Sequence, residues 1–270
     1  MNTEIIKIYC ICNEFIKALK IPQDSFSKMT DCEVLTTALV SMKYFSGNLE
    51  LGRRFLAEYS YIHNMLSKSR LNRRLHAFPP VFWHVFLKFF AFVNKANQDK
   101  ETIVDSFPVK ACHNVRKCRL YKDKKYLGFN ASKDEYFTGI KAHVITNSKG
   151  QPLDFSITEG SMHDLKALKS FDLDFLFGKI LYGDKAYNHY EYEDLLMKLG
   201  TYLMPQRKEN STRPWSYKIY SKINAVRKRI ETSFSQINTM LPRRIQAVTA
   251  KGFELKVILG IVALALGYLV

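Results

Sequence analysis

The sequence predicts an α/β fold, a mixed sheet flanked by helices and preceded by an all-helical N-terminal domain. Three observations predict it. Residues 1 to about 98 carry apolar residues at helical spacing, with capping and proline signals between the runs. From residue 101 strand-like runs take over and then alternate with helical ones. With 270 residues and 47% apolar content the chain can bury a substantial core. The expected division is therefore a helical domain over 1–98 and an α/β domain over 99–270 that ends in a C-terminal helix.

The first run, TEIIKIYCICNEFIKALK, stops before Ile21-Pro22, where the proline disfavours a helical residue ahead of it. Thr30-Asp31-Cys32-Glu33 has the form of a capping box and opens a helix over EVLTTALVSMKYF. Arg53, Arg54, Lys68, Arg70, Arg73 and Arg74 fall in short helical pieces, and Pro79-Pro80 opens VFWHVFLKFFAFVNKA. Short helices with a basic cluster suggest a DNA-binding domain of helix-turn-helix type; a plain bundle is the other reading. ETIVDSFPV then reads as a strand. YFTGIKAHVITNSKGQPLDFSITEG reads as a hairpin that turns at Asn147 to Gly150. Ser161-Met162-His163-Asp164 again has the capping-box form and opens DLKALKSF. GKILYGDKAY is a strand, YEYEDLLMKLG a helix, TYLMP a short strand, and about Ile223 to Met240 a long helix. An antiparallel meander followed by parallel crossovers is the element order of a ribonuclease-H-like fold.

The formal charge is +16, above the magnitude of about 2 to 8 usual for a small soluble domain. It is uneven: −1 over residues 1–50, +7 over 51–100, +5 over 101–150, −4 over 151–200 and +9 over 201–270. Basic segments around an acidic middle favour a polyanion partner, most simply nucleic acid. The five cysteines form no CxxC pair, and no secretory signal opens the sequence, which leads us to expect a reducing, cytoplasmic and nucleoid-associated setting. Cys112, His113 and Cys118 resemble half a zinc site, but no second ligand pair follows. The tail VILGIVALALGYLV from Val257 is apolar but short of the roughly 20 residues that span a bilayer, so a buried helix is expected and no membrane partner.

Asp105, inside IVDSFPV, poses a problem of its own. A buried charge without a partner costs several kcal/mol, roughly, so this carboxylate must be exposed, paired, or holding something. Asp184 repeats the puzzle in ILYGDKAY, just after an apolar strand. Glu231 lies beside the apolar stripe Ile223, Val226, Ile230, Phe234 and Ile237 of the long helix, one turn after Arg227. Taken alone, Glu231 reads as the partner of Arg227 in an i, i+4 ion pair. Two carboxylates at strand ends and one on a late helix can, however, converge on one sheet edge. Mg2+ takes a few carboxylates plus substrate phosphates. Two such ions about 3.5–4 Å apart can clamp an in-line phosphoryl displacement.

IVDSFPV, the hairpin GIKAHVITNSKGQPLDFSITEGSMHD, LYGDKAY and the Arg227-x-x-x-Glu231 pair together resemble the DDE transposases of bacterial insertion sequences, the nine-eighty-two group with relatives in the number-four group. These motifs span about residues 101 to 245. One departure is visible: number-four relatives carry a tyrosine and a lysine where this chain has Asn224 and Asn238. The resemblance implies that Asp105, Asp184 and Glu231 are catalytic and bind two Mg2+ ions, with Mn2+ able to substitute. It implies DNA cleavage at element ends and attack of the freed 3′-hydroxyl on target DNA. The implied partners are the terminal inverted repeats and target DNA, engaged by a homodimer. Arg227 would touch a phosphate near the cut. Arg116, Lys117, Arg119, Lys124, Lys125, Arg207, Lys208, Arg243 and Arg244 would track the DNA backbone.

A structure-specific nuclease on the same fold, a catalytically inactive DNA-binding remnant, and a membrane-associated protein using the apolar tail are the rival readings. His163 and Asp164 invite a catalytic reading, but the capping box accounts for Asp164. His143 reads as structural, and Trp215 as ordinary packing in preference to a base-stacking platform.

Overall fold

The computed structural model describes residues 2–20, 27–113, 118–130 and 133–270. The chain divides into two compact units, Met1–Phe90 with Gln236–Val270, and Ala91–Ser235.

The helical unit contains α1 (Asn2–Ala18), α2 (Asp31–Tyr44), α3 (Leu49–Glu58), α4 (Lys68–Ala77) and most of α5 (Pro80–Val93). The capping box that opens α2 forms as expected. The Glu33 N–H donates to Thr30 Oγ1 at 3.3 Å, and the Thr30 N–H donates back to Glu33 Oε2 at 2.7 Å. Aromatic rings fill much of this core, with Phe15 stacked on Phe86 at 4.2 Å between centroids. Part of the basic cluster is committed internally. Arg53 and Arg54 both bind Glu50, and Arg74 donates through Nη2 to Asp31 Oδ1 at 2.5 Å and through Nη1 to Met29 O at 3.2 Å.

The compact units differ from the expected division at both ends: Ala91–Gln98 falls in the α/β unit, and the residues from Gln236 onward fall in the helical unit. The apolar tail forms α9 (Ala250–Gly267), and it belongs to the helical unit instead of the α/β unit. Phe253, Val257, Ile261 and Leu266 are fully buried there, and Leu241 lies 3.3 Å from where a Cβ on Gly260 would stand. Among the described residues no single helix is long and apolar enough to cross a membrane.

The other unit is built on a six-stranded mixed sheet: β1 (Glu101–His113), β2 (Leu127–Asn130), β3 (Glu135–Asn147), β4 (Pro152–Glu159), β5 (Ile180–Gly183) and β6 (Tyr202–Pro205). β1 runs antiparallel to β3 on one side and parallel to β5 on the other, and β5 runs parallel to β6. β4 pairs with β3 over Ile140–Thr146, and β2, absent from the sequence expectation, pairs with β3 over Glu135–Thr138. This meander continued by parallel strands is the ribonuclease-H-like arrangement. The hairpin turn is pinned by Asn147, whose Oδ1 accepts the N–H groups of Lys149 and Gln151, and by Gly150 at φ 91. The helices of this unit are α6 (Asp164–Leu168), α7 (Tyr190–Lys198) and α8 (Tyr217–Met240), whose last turns pass into the helical unit.

Register places the side chains. Ser106 lies opposite His143, and Pro108 opposite Lys141, so these share one face of the sheet. Asp105 and Phe107 point to the other face, where Phe107 meets Phe234 of α8 at 4.6 Å between centroids.

Candidate active site

β1 and β5 pair in parallel up to Ile103 and Tyr182. Asp105 and Asp184 each lie two residues further on, at the carboxyl ends of the paired stretch. Crevices at the carboxyl ends of parallel strands are where open α/β sheets bind ligands. Gly183 is required just before Asp184, because the Tyr187 ring packs onto its Cα. A Cβ there would stand 2.9 Å from Tyr187 Cδ2.

Each carboxylate is held locally. Asp105 Oδ1 accepts the Ser106 N–H at 2.8 Å, and Asp184 Oδ1 accepts the Ala186 N–H at 2.8 Å. Burial pushes Asp105 up to about 6; the Arg227 guanidinium opposes that rise, and the charge of Asp184 adds to it. Burial likewise raises Asp184 above the usual carboxylate range. Two desolvated acids, one of which raises the other's affinity for protons, form a site that favours a cation.

Arg227 answers part of that demand. Its Nη2 donates to Asp105 Oδ2 at 3.1 Å and its Nη1 to Gln206 Oε1 at 2.8 Å. Gln206 is fixed in turn by its N–H on Gly183 O and by its amide on Asn224 at 2.5 Å. Asn224, the position of the departure noted in the sequence, thus supports the arginine through Gln206.

Glu231 is exposed on α8, and Arg227 turns to Asp105 instead of forming the expected i, i+4 pair. Glu231 lies along the helix between the residues that touch β1, Arg227 and Phe234. Among the described residues, no group of three His, Cys, Asp or Glu side chains is placed to hold a metal ion. The structure therefore brings two of the expected carboxylates together and leaves the third apart.

A divalent cation suits the pair on three counts. Both groups are hard oxygen donors. Both are raised by burial, a penalty that a bound cation removes. Arg227 Nε, and the hydroxyl of Tyr187 in the turn after Asp184, are also buried without hydrogen-bond partners among the described residues, polar atoms that a bound group can satisfy.

The opposite face carries a polar cluster that sequence reasoning discounted. α6 begins at Asp164 as expected, but its N-cap is His163 and not Ser161. Ser161 instead donates to Lys125 O. Asp164 is drawn inward: its Oδ1 accepts the Ser106 hydroxyl at 2.8 Å and Lys141 Nζ at 3.3 Å. His143, buried beneath, bonds Thr158 through Nε2 at 2.9 Å. Its Nδ1 stands 3.6 Å from Asp164, beyond hydrogen-bond reach.

The expected DNA-contact residues are dispersed. Arg119, Lys124, Lys125, Lys208, Arg243 and Arg244 are exposed, with Lys125 paired to Glu159 at 3.2 Å. Arg116 and Lys117 lie outside the described residues. Arg207 is a correction. It is buried, forks onto Glu193 at 2.7 and 2.6 Å, and stacks against Trp215 at 4.5 Å, so its charge is neutralised inside the fold. Trp215 is packed, with its indole N–H on Pro205 O at 2.7 Å.

The model of a family described as a Transposase DDE domain matches residues 96–266. No curated protein matches the chain. Two solved structures are similar. One is a piggyBac transposase synaptic complex with hairpin DNA, at 10% identity and TM-score 0.47, over 97% of this chain and 71% of that one. The other is a Mos1 mariner paired end complex with Mn, at 10% identity and TM-score 0.25, over 87% and 88%. At these scores neither likeness carries weight for fold or function.

Proposed function

We propose, from the premise that this chain belongs to the DDE-domain transposase family, that it cuts DNA at the ends of an insertion sequence and joins the freed 3′-hydroxyl to target DNA. The observation that carries the proposal is the convergence of Asp105 and Asp184 at the ends of adjacent parallel strands with Arg227 against them.

In the first step a water oxygen bonds to phosphorus, the P–O3′ bond breaks, and the leaving oxygen takes a proton as a 3′-hydroxyl. In the second step that hydroxyl loses its proton, bonds to a target phosphorus, and displaces the target's own 3′-oxygen. Asp105, Asp184 and Glu231 would hold two divalent cations, Mg2+ with Mn2+ able to substitute, which would supply charge neutralisation to the phosphoryl displacement. Glu231, exposed on α8 one turn after Arg227, would complete the set once DNA and the ions are bound. Gln206 keeps the Arg227 guanidinium in place, where it orients an incoming phosphate by a charge-assisted fork. The exposed Arg119, Lys124, Lys125, Lys208, Arg243 and Arg244 add affinity for terminal inverted repeats and target DNA without reading sequence. Two ends must be cut together, which calls for a homodimer.

The test is a duplex bearing the inverted repeats that flank the gene, incubated with Mg2+ or Mn2+ and resolved strand by strand. Wild type is expected to nick at the repeat boundary and to join the end to a plasmid. Asp184→Asn and Glu231→Gln are expected to do neither. Cutting without joining would make the protein a nuclease. Cutting by Glu231→Gln at the wild-type rate would remove Glu231 from the site.

A further inference from the structure

One buried group at the site has no part in this chemistry. Tyr187 closes the short turn after Asp184, where its N–H donates to Asp184 O at 3.2 Å. Its ring lies over Gly183 and is wedged among Val104, Leu168, Leu181 and Leu203. The residue is 1% exposed, and its hydroxyl has no hydrogen-bond partner among the described residues.

That is an expensive way to fill a hole in an apolar core. A buried phenol oxygen without a partner is penalised, whereas phenylalanine would occupy the same space without penalty. The charges that act on its buried hydroxyl are those of Asp105, Asp164, Asp184 and Arg227. Asp164 already accepts the Ser106 hydroxyl and Lys141 Nζ. Asp105 and Asp184 each accept one backbone N–H, and Asp105 Oδ2 is held by Arg227. A carboxylate that ligates a cation through one oxygen is itself oriented by a hydrogen-bond donor. Tyr187 is a fixed donor, unused among the described residues, in the turn that carries Asp184 and within the electrostatic reach of both carboxylates.

We propose that Tyr187 is a positioning residue of the Asp105–Asp184 site, its hydroxyl donating to one of these carboxylates when the pair takes a divalent cation. The inference rests on the metal-dependent reaction proposed for the site. It differs from that proposal in predicting a residue that is neutral for folding yet needed for metal affinity.

The experiment uses the full chain and Mn2+ as probe, with free Mn2+ followed by its paramagnetic signal and thermal unfolding measured with and without the ion. Tyr187→Phe is expected to melt at or above the wild-type temperature without Mn2+. Its Mn2+ dissociation constant is expected to rise about tenfold, in the range usual for loss of a group that orients a metal ligand. A folded Tyr187→Phe with wild-type Mn2+ affinity would overturn the proposal. A Tyr187→Phe that melts lower without Mn2+ would overturn it too, because the hydroxyl would then serve the fold. Asp184→Asn separates the two levels. If wild type and Asp184→Asn bind Mn2+ equally, or neither binds it, the metal-dependent site itself fails and the role of Tyr187 fails with it.

Discussion

Single side chains in this molecule are explained by what they touch across the sheet more than by their neighbours in the chain. His143 is the clearest case. Burial lowers its pKa to about 4, and the nearby Asp164 charge only partly offsets this. The unfolded chain therefore takes up a proton near pH 6.5 that the folded chain resists until about 4. The stability His143 contributes as a neutral ring is present above pH 6.5 and is lost as pH falls toward 4. The loss is on the order of 3 kcal/mol. Denaturant melts across that window are expected to show this slope, and His143→Gln to flatten it. Gly183 gives a second prediction. A methyl there would press on Tyr187 Cδ2 at 2.9 Å, and the ring is locked in the core. Gly183→Ala is expected to destabilise the protein by about 1–3 kcal/mol in a urea titration, the usual range for overpacking.

Elements are held by caps and crosslinks of unequal weight. The box at the start of α2 is local and partly exposed, so Thr30→Ala is expected to cost only about 1 kcal/mol. The fork between Arg207 and Glu193 joins the segment after β6 to α7 with both side chains buried. Removing one partner leaves a charge stranded, so Glu193→Ala is expected to cost about 3–5 kcal/mol. The double variant Glu193→Ala with Arg207→Ala should cost less than the sum of the two, which a double-mutant cycle in urea would measure. Strictly additive values would mean the pair is not coupled. α6 shows the opposite balance. A five-residue helix has little stability of its own, so its start is decided by the pull of Ser106 and Lys141 on Asp164.

The molecule as a whole joins a helical unit, made from both ends of the chain, to an α/β unit made from its middle. A chain ending at Thr249 would strip Phe253, Val257 and Ile261 from the helical unit's core. Its helical circular-dichroism signal is expected to fall by more than the loss of α9 accounts for, since the remaining helices lose their packing. A fall matching α9 alone would show that the other helices fold without it. The +16 charge acts at the same scale. Affinity for any DNA duplex should fall steeply with salt, and Lys124→Ala with Lys208→Ala should reduce the slope of log K against log[salt] by about 1 each if both meet phosphates. An unchanged slope would place these side chains away from the DNA.

Much was legible in the residues alone. The β3–β4 hairpin, the α2 cap and the long α8 follow from turn chemistry, capping and periodicity, which act over a few residues. Asp105 and Asp184 stood out because a carboxylate at an apolar strand end demands an explanation wherever the strand lies. Other features needed the fold, since they depend on groups far apart in sequence. Asp105 and Arg227 meet across 122 positions. Gln206 and Asn224 had no local signal, and Arg207 looked like any loop arginine until Glu193 met it. Nothing local marked Tyr187, whose buried and unpartnered hydroxyl only the fold reveals. The apolar tail announced a buried helix, but not which unit would bury it: apolar surface is removed from water equally well by any core, and only long-range packing selects one.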